Sequence, residues 1–176
     1  MCTYLALLRG INVGKNSTVP MARLREVFAE LGCADVRTYI QSGNVVFRFD
    51  DDPRELRSHL ETAINDSFGF AVPVLLRDRT ELDAVVRDYP FADRDLDPSK
   101  VGVGFLAHET TDDIDLRPSR GKEEIVRAGR ELYIHYPDGM GRSALTPAFF
   151  QRRLPNNPMT VRNWRTVMRL HTMMYT

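Results

Sequence analysis

The sequence lacks any long apolar run, and it contains only two cysteines, Cys2 and Cys33. A membrane-spanning helix needs about 20 apolar residues, so no membrane span is predicted. The N-terminal residues lack the basic region and the cleavage site of a signal peptide. The two cysteines are far apart and have no metal-ligand spacing, which argues against a disulfide framework and a zinc site. We therefore expect a cytoplasmic protein without a metal and without membrane contact.

The sequence also lacks a recognisable catalytic or cofactor motif. No local spacing indicates a Ser–His–Asp or Cys–His arrangement, and His135 is the single candidate for a general acid or base. The loop at 10–17 departs from the phosphate-binding pattern G-x-x-x-x-G-K-[ST], because its glycines are one residue too close and Asn16 replaces the hydroxyl residue. A looser anion site built from backbone N–H groups and Lys15 remains open, beside the alternative of a long connecting loop.

Acidic residues are absent from Gly141 to Thr176, although the whole chain has 24 acidic and 24 basic residues and no net charge. The arginines of this segment are Arg142, Arg152, Arg153, Arg162, Arg165 and Arg169. A basic segment in a neutral protein predicts an anionic partner, or an acidic face elsewhere on the same molecule.

Apolar spacing in the first half predicts the element order β-α-β-β-α-β, which is typical of a ferredoxin-like unit. The residues Asp52-Pro53-Arg54-Glu55 have the pattern of a helix start, with a capping Asp, a Pro and an acid in the first turn. The predicted strands are Thr3–Leu8, Val36–Gln41, Val45–Phe49 and Val72–Leu76, and the predicted helices are 21–31 and 53–68.

The second half resembles an incomplete repeat of this order. Its predicted elements are a linking helix at Thr80–Tyr89, a strand at Val101–Leu106, a short helix at Thr110–Leu116, a hairpin around Gly129-Arg130 and a helix at Ala144–Leu154. No final strand is predicted, and Thr160 is expected to cap a last helix. The predicted fold is α+β, with two tandem ferredoxin-like halves (1–78 and 79–176), antiparallel sheets and an extra C-terminal helix.

Polar side chains at the ends of predicted strands and helices mark four candidate segments. Glycine turns and helix N-termini offer N–H groups to anions, and an open sheet face that carries a tyrosine can stack a base. Arginines in the first turns of two predicted helices, Arg142 and Arg162, oppose the helix dipole unless an anion or a salt bridge is near. The candidate ligand-binding residues are Arg9, Asn12, Lys15, Arg37, Tyr39, Gln41, Asn44, Arg142, Ser143, Arg162 and Asn163.

The same four segments resemble a bacterial family known as domain of unknown function 1697. The segments are 6–14 (ALLRGINVG), 36–45 (VRTYIQSGNV), 133–143 (YIHYPDGMGRS) and 160–166 (TVRNWRT). The family's usual Gly-Gly-Lys after the first motif is Gly14-Lys15 here. The resemblance implies a bacterial protein with two ferredoxin-like α+β halves, and it brings no activity and no catalytic residues.

Three hypotheses of function follow from these observations. The first is a binding module for a phosphate-bearing ligand, either a small molecule such as a nucleotide or a nucleic acid. The second is an enzyme for a small anionic substrate, with arginines that stabilise negative charge and His135 as acid or base. The third is an interaction module whose basic C-terminal segment docks on an acidic partner.

Overall fold

The computed structural model describes all 176 residues, which form two compact units. The first unit contains Met1–Asp83 and Leu170–Thr176, and the second contains Ala84–Arg169. The chain has two four-stranded antiparallel sheets and five α-helices, which confirms the predicted α+β class. No helix combines the length and the apolar character that a membrane crossing would require.

The first sheet has the strand order β2-β3-β1-β4, with β1 paired antiparallel to both β3 and β4. The chain order of this part is β-α-β-β-α-β, as predicted, and a third helix follows. The elements are β1 (Cys2–Leu8), α1 (Met21–Glu30), β2 (Ala34–Tyr39), β3 (Asn44–Phe49), α2 (Pro53–Phe68), β4 (Val74–Asp78) and α3 (Arg79–Arg87).

The start and the end of α2 follow from local sequence. The carboxylate of Asp52 accepts a hydrogen bond of 2.8 Å from the main-chain N–H of Arg54, and Pro53 occupies the first helical position, where its missing N–H has no cost. The helix ends at Gly69, whose φ of +82° is left-handed and therefore favours glycine. The predicted helix start is confirmed.

Both faces of β1 are buried, because its side chains alternate between two apolar environments. Ala6 and Leu8 belong to a core that includes residues of α1 and α2. Leu5 and Leu7 point to the opposite face and are also fully buried. Burial of one such leucine contributes about 1.5–3 kcal/mol relative to an exposed position, and β1 is one of the two interior strands of this sheet.

The second sheet has the equivalent strand order, β6-β7-β5-β8. Its elements are β5 (Val101–Leu106), β6 (Glu124–Ala128), β7 (Glu131–His135), α4 (Pro147–Arg153), β8 (Met159–Asn163) and α5 (Trp164–Met173), with single 3-10 turns at Pro98–Lys100 and Met140–Arg142. The hairpin around Gly129-Arg130 is confirmed, and the apolar side chains of α4 pack on one face of this sheet.

Two expectations for this half are wrong. Thr110–Leu116 contains no helix. Thr160 does not cap the last helix, because it lies in β8 opposite Phe105 of β5. The second half therefore has a final strand, which the sequence pattern did not predict. The side chain of Asn163 accepts the hydrogen bond from Thr166 N–H that begins α5.

Gly43, in the turn between β2 and β3, is constrained by both conformation and space. Its φ is +85°, and a Cβ at this position would lie 2.7 Å from Leu8 Cβ and 2.9 Å from Ile11 Cδ1. Gly14 has a similar φ of +82° but has no neighbouring atom within 4 Å of the same point. The two glycines therefore separate the cost of conformation from the cost of close packing.

We predict that Gly43→Ala destabilises the protein more than Gly14→Ala does. Left-handed backbone costs a non-glycine residue roughly 1–2 kcal/mol, and the clash at Gly43 adds about 1–3 kcal/mol of overpacking. Urea denaturation of the two variants measures both losses. Equal losses would show that the turn moves away from Leu8 and Ile11 without cost.

Candidate functional site

The loop that follows β1 is held to the turn between β2 and β3 by the side chain of Asn12. Its Nδ2 donates to the carbonyl oxygens of Gln41 at 2.7 Å and Val19 at 3.1 Å, and its Oδ1 accepts from Val19 N–H at 2.8 Å. These bonds use the amide of Asn12 to fix the loop. They also bring the candidate residues Asn12 and Gln41 together.

Asn44 has a comparable role on the other side of the same turn. It is fully buried, and its Nδ2 donates to Tyr39 O at 3.0 Å and to Ser42 Oγ at 2.9 Å. Arg9 is half-buried and donates its main-chain N–H to Pro73 O at 3.1 Å. Lys15 is exposed at the tip of the loop. At this end of the sheet, Lys15 is therefore accessible to solvent, whereas the side-chain amides of Asn12 and Asn44 fix the main chain of the loop and the turn.

Two candidate arginines of the second unit, Arg142 and Arg162, do not lie in the first turns of helices as predicted. Arg142 belongs to the 3-10 turn, and α4 begins later, where Thr146 Oγ1 accepts from Phe149 N–H. The hydroxyl of Ser143 donates to Glu123 Oε1 at 2.7 Å. The predicted conflict between Arg142 and a helix dipole is therefore wrong.

Arg162 lies within β8, and its predicted position in a helical turn is also wrong. Its side chain is buried and donates to Thr160 Oγ1 at 2.6 Å and to Val161 O at 3.1 Å. Loss of hydration lowers the pKa of Arg162 to about 10. Asn163 ends the strand and caps α5, and Arg165 is the arginine in the first turn of that helix.

His135, the candidate acid or base, is buried in β7 beside an ion pair. Its Nδ1 lies 3.6 Å from Glu124 Oε1. Two hydrogen bonds of 2.9 Å from Arg94 hold the Glu124 carboxylate, and they lower the pKa of Glu124. The charge next to His135 is thus already paired with an arginine. No group of three or more His, Cys, Asp or Glu side chains is arranged to hold a metal ion.

Arg37 lies on the face of the first sheet opposite α1. The neighbouring Thr38 accepts a hydrogen bond of 2.7 Å from Arg25 of α1, and alternation along β2 sends Arg37 and Tyr39 to the other face. The β2 strand ends at Tyr39, so Gln41 lies in the following turn and does not continue this row. Alternation along the predicted strand Val36–Gln41 places Arg37, Tyr39 and Gln41 in one polar row, but only Arg37 and Tyr39 of this row lie in β2.

A groove of about 550 Å³ on this face of the first unit is lined by three arginines, Arg37, Arg48 and Arg79. Strand pairing explains how they meet, because β1 places Thr3 opposite Arg48 of β3, and Thr3 accepts a hydrogen bond of 3.2 Å from Arg79 at the start of α3. We call this the arginine groove. Residues 174–176 also line it.

Two of these guanidinium groups bind neutral oxygens. Arg37 donates to Met173 O at 2.9 Å and to Thr176 Oγ1 at 2.7 Å. Arg79 donates to Met174 O at 2.6 Å, and its guanidinium carbon lies 4.5 Å above the centre of the Tyr175 ring. The carbonyl groups at the end of α5 carry partial negative charge, which these cations complement.

Arg48 has the weakest attachment of the three. It forms an ion pair of 3.0 Å with Asp35, and both side chains are largely exposed. Such exposed pairs contribute little to stability. Arg48 is therefore the arginine of the groove whose replacement perturbs the fold least.

The wall of the groove is fixed by a cluster around Asp83. The Tyr175 hydroxyl donates to the Asp83 carboxylate at 2.6 Å, and Nε2 of His171 lies 2.8 Å from Asp83 Oδ1. The hydrogen bond from Tyr175 and then that from His171 lower the pKa of Asp83 below its ordinary value of 3.8. We call these three residues the Asp83 cluster.

The sequence interpretation missed Arg48, Arg79 and the Asp83 cluster. The alternation of Arg37, Tyr39 and Gln41 along the predicted strand indicated the face of β2 on which Arg37 lies. The positions of Arg48 and Arg79 depend on strand register and on the direction of α3, for which the sequence has no local signal. The pairing of Asp83 with residues near 171–175 joins positions about half a chain apart.

We predict that Tyr175→Phe raises the pKa of Asp83 toward its ordinary value, because the strongest hydrogen bond to the carboxylate is removed. The folded carboxyl group binds its proton less tightly than the unfolded one. The hydrogen bonds to Asp83 therefore stabilise the folded protein at pH values above the pKa of the unfolded carboxyl group, and this stabilisation is lost as the pH falls through the pKa of the folded one. NMR titration of the Asp83 carboxyl carbon measures the change. Tyr39→Phe is the control, and an unchanged Asp83 pKa in Tyr175→Phe contradicts the assignment.

Comparison with known proteins places the chain in a family. A solved structure of a conserved bacterial protein from Streptococcus pneumoniae has 26% identity and a TM-score of 0.74, and the match covers 100% of this chain and 99% of that one. No curated protein matches the chain. The model of a family described as protein of unknown function, DUF1697, matches residues 1–133. The chain therefore belongs to the DUF1697 family.

Proposed function

We propose that the protein binds a small phosphate-bearing ligand in the arginine groove. The observation that carries this proposal is the convergence of Arg37, Arg48 and Arg79 from β2, β3 and α3 on one cavity. Three separate elements supply one arginine each.

The charge of the groove supports an anionic ligand. Arg37 and Arg79 donate their hydrogen bonds to carbonyl and hydroxyl oxygens, which carry no formal charge, and Arg79 is also attracted to the Asp83 carboxylate, whose pKa it helps to lower. Among the side chains that line the groove, Asp35 is the single carboxylate. Three guanidinium groups and one carboxylate leave an excess of two positive charges in the lining side chains.

The chemistry of guanidinium favours phosphate over other anions. Its planar set of N–H donors matches two oxygens of a phosphate group at once, and such charge-assisted bonds are stronger than neutral ones. A volume of about 550 Å³ lies within the range of small-molecule sites, roughly 300–1,000 Å³. The size of the groove therefore supports a phosphate-bearing small molecule, such as a nucleotide, over a nucleic acid.

We also infer that each sheet and its helices form a ferredoxin-like half. The strand orders β2-β3-β1-β4 and β6-β7-β5-β8 are equivalent: in each sheet the first strand along the chain (β1 or β5) is an interior strand and the last (β4 or β8) is an edge strand. The segment between β5 and β6 has no helix that corresponds to α1, so the second half is the less complete one.

We predict that Arg48→Ala weakens binding by roughly tenfold to a hundredfold, the loss expected for one hydrogen bond to a charged group. Isothermal titration calorimetry at low salt measures binding of pyrophosphate, mononucleotides and dinucleotides to the whole chain. Arg48→Ala is preferred to changes at Arg37 and Arg79, because those residues also hold the end of α5.

Arg57→Ala, an exposed arginine on α2, is the matched control and should bind as the unmodified chain does. Binding that is equal in Arg48→Ala and Arg57→Ala removes the groove as the site. If none of the phosphate compounds binds the unmodified chain, the proposed ligand class is wrong.

A further inference from the structure

The edge strand β6 of the second sheet carries unused main-chain hydrogen-bonding groups. At the two ends of β7, Arg130 O accepts from Leu106 N–H, and Tyr136 N–H donates to Lys100 O. The main-chain groups of even-numbered residues of β7 therefore point to β5, and those of odd-numbered residues point to β6. Because Ala128 pairs with Glu131 next to the two-residue turn, Glu124, Val126 and Ala128 bond to β7. The N–H and C=O groups of Ile125 and Arg127 therefore point outward.

The outward edge of β6 has few of the features that protect sheet edges. No main-chain hydrogen bond reaches Ile125 or Arg127 from outside the sheet, and the strand has neither proline nor a bulge. Val126 is exposed to 37%. The edge strand of the first sheet, β2, is interrupted between Ala34 and Arg37 by a register shift, which is a common protection against edge pairing.

We propose that β6 pairs antiparallel with β6 of a second copy of this chain, with Ile125 opposite Ile125 of the second copy. A two-fold axis perpendicular to the sheet relates the two strands, and it keeps outward groups opposite outward groups. Directly opposite residues of paired strands have their side chains on the same face of the sheet. The axis must therefore pass between two copies of the same residue, and not between two neighbouring residues. The two sheets join into one sheet of eight strands.

Charge selects this register among the neighbouring ones. With Ile125 at the axis, Glu123 of each copy lies opposite Arg127 of the other, and two ion pairs form. With Val126 at the axis, Ile125 lies opposite Arg127, and no charges are paired. With Arg127 at the axis, two like charges face each other, which is destabilising.

Glu123 and Arg127 both have polar atoms without hydrogen bonds in the single chain. Glu123 Oε1 accepts from Ser143, Arg127 Nη2 donates to Ile114 O, and Arg127 Nη1 lies 3.8 Å from Asp112 Oδ1 of an exposed side chain. Glu123 Oε2 and Arg127 Nε are buried and have no hydrogen-bond partner. Native structures leave few such atoms unsatisfied. The second copy brings the complementary groups opposite each other, where a change of side-chain rotamer pairs them.

The experiment is sedimentation velocity of the whole chain over a range of concentrations. A contact between two short strands is small compared with stable interfaces, so the expected result is a dimer fraction that rises with concentration. Glu123→Arg and Arg127→Glu are each expected to sediment as monomers, because each variant places two pairs of like charges in contact. Circular dichroism verifies that both variants are folded.

An equimolar mixture of the two variants gives the decisive result. Arg at 123 in one chain then faces Glu at 127 in the other, and Arg127 faces Glu123, so the mixture is expected to form a heterodimer although neither variant associates alone. Arg57→Glu on α2 is the control and should associate as the unmodified chain does. A monomer at all concentrations, dimers that persist in both variants, or a mixture that stays monomeric would each overturn the proposal.

Discussion

The burial of β1 on both of its faces is the constraint on which the first unit depends. Ala6 and Leu8 face the core that α1 and α2 help to build, while Leu5 and Leu7 face the other way and are equally buried. A sheet with one covered face would leave the second set of leucines in water. Residues 170–176 belong to this unit although they are distant in sequence, and Arg37, which lies on the second face of the sheet, donates a hydrogen bond to Met173 O.

The arginine groove forms where residues 174–176 lie beside Arg37, Arg48 and Arg79. The main-chain oxygens at the end of α5 need donors, and Arg37 and Arg79 provide them from the sheet and from the start of α3. Each guanidinium group has five N–H donors, so the same residues can hold a backbone and still face a cavity. Arg37 and Arg79 therefore serve both the fold and the proposed binding, whereas Arg48 serves the proposed binding alone, because its ion pair with Asp35 is largely exposed.

Most of the first unit could be predicted from sequence because its elements have local signals. The start of α2 has Asp52 and Pro53, and apolar residues recur at helical spacing in α1. The strand β8 could not be predicted, because it is five residues long and includes Arg162, and a buried arginine contradicts the usual outward position of charge. Candidate site residues were placed correctly where alternation decides the face, as for Arg37. Arg48 and Arg79 were missed because their proximity depends on the register of β1 against β3, which no short segment encodes.

The division of the first unit into two chain segments has a consequence during synthesis. The strands β1 to β4 and the start of α3 leave the ribosome early, but the 86 residues of the second unit must be made before Leu170 appears. At roughly 5–20 residues per second, this takes about 4–17 s. During that interval Arg37 and Arg79 lack the main-chain oxygens of Met173 and Met174 that they bind in the folded chain, so the first unit cannot complete these hydrogen bonds until the last residues have been made.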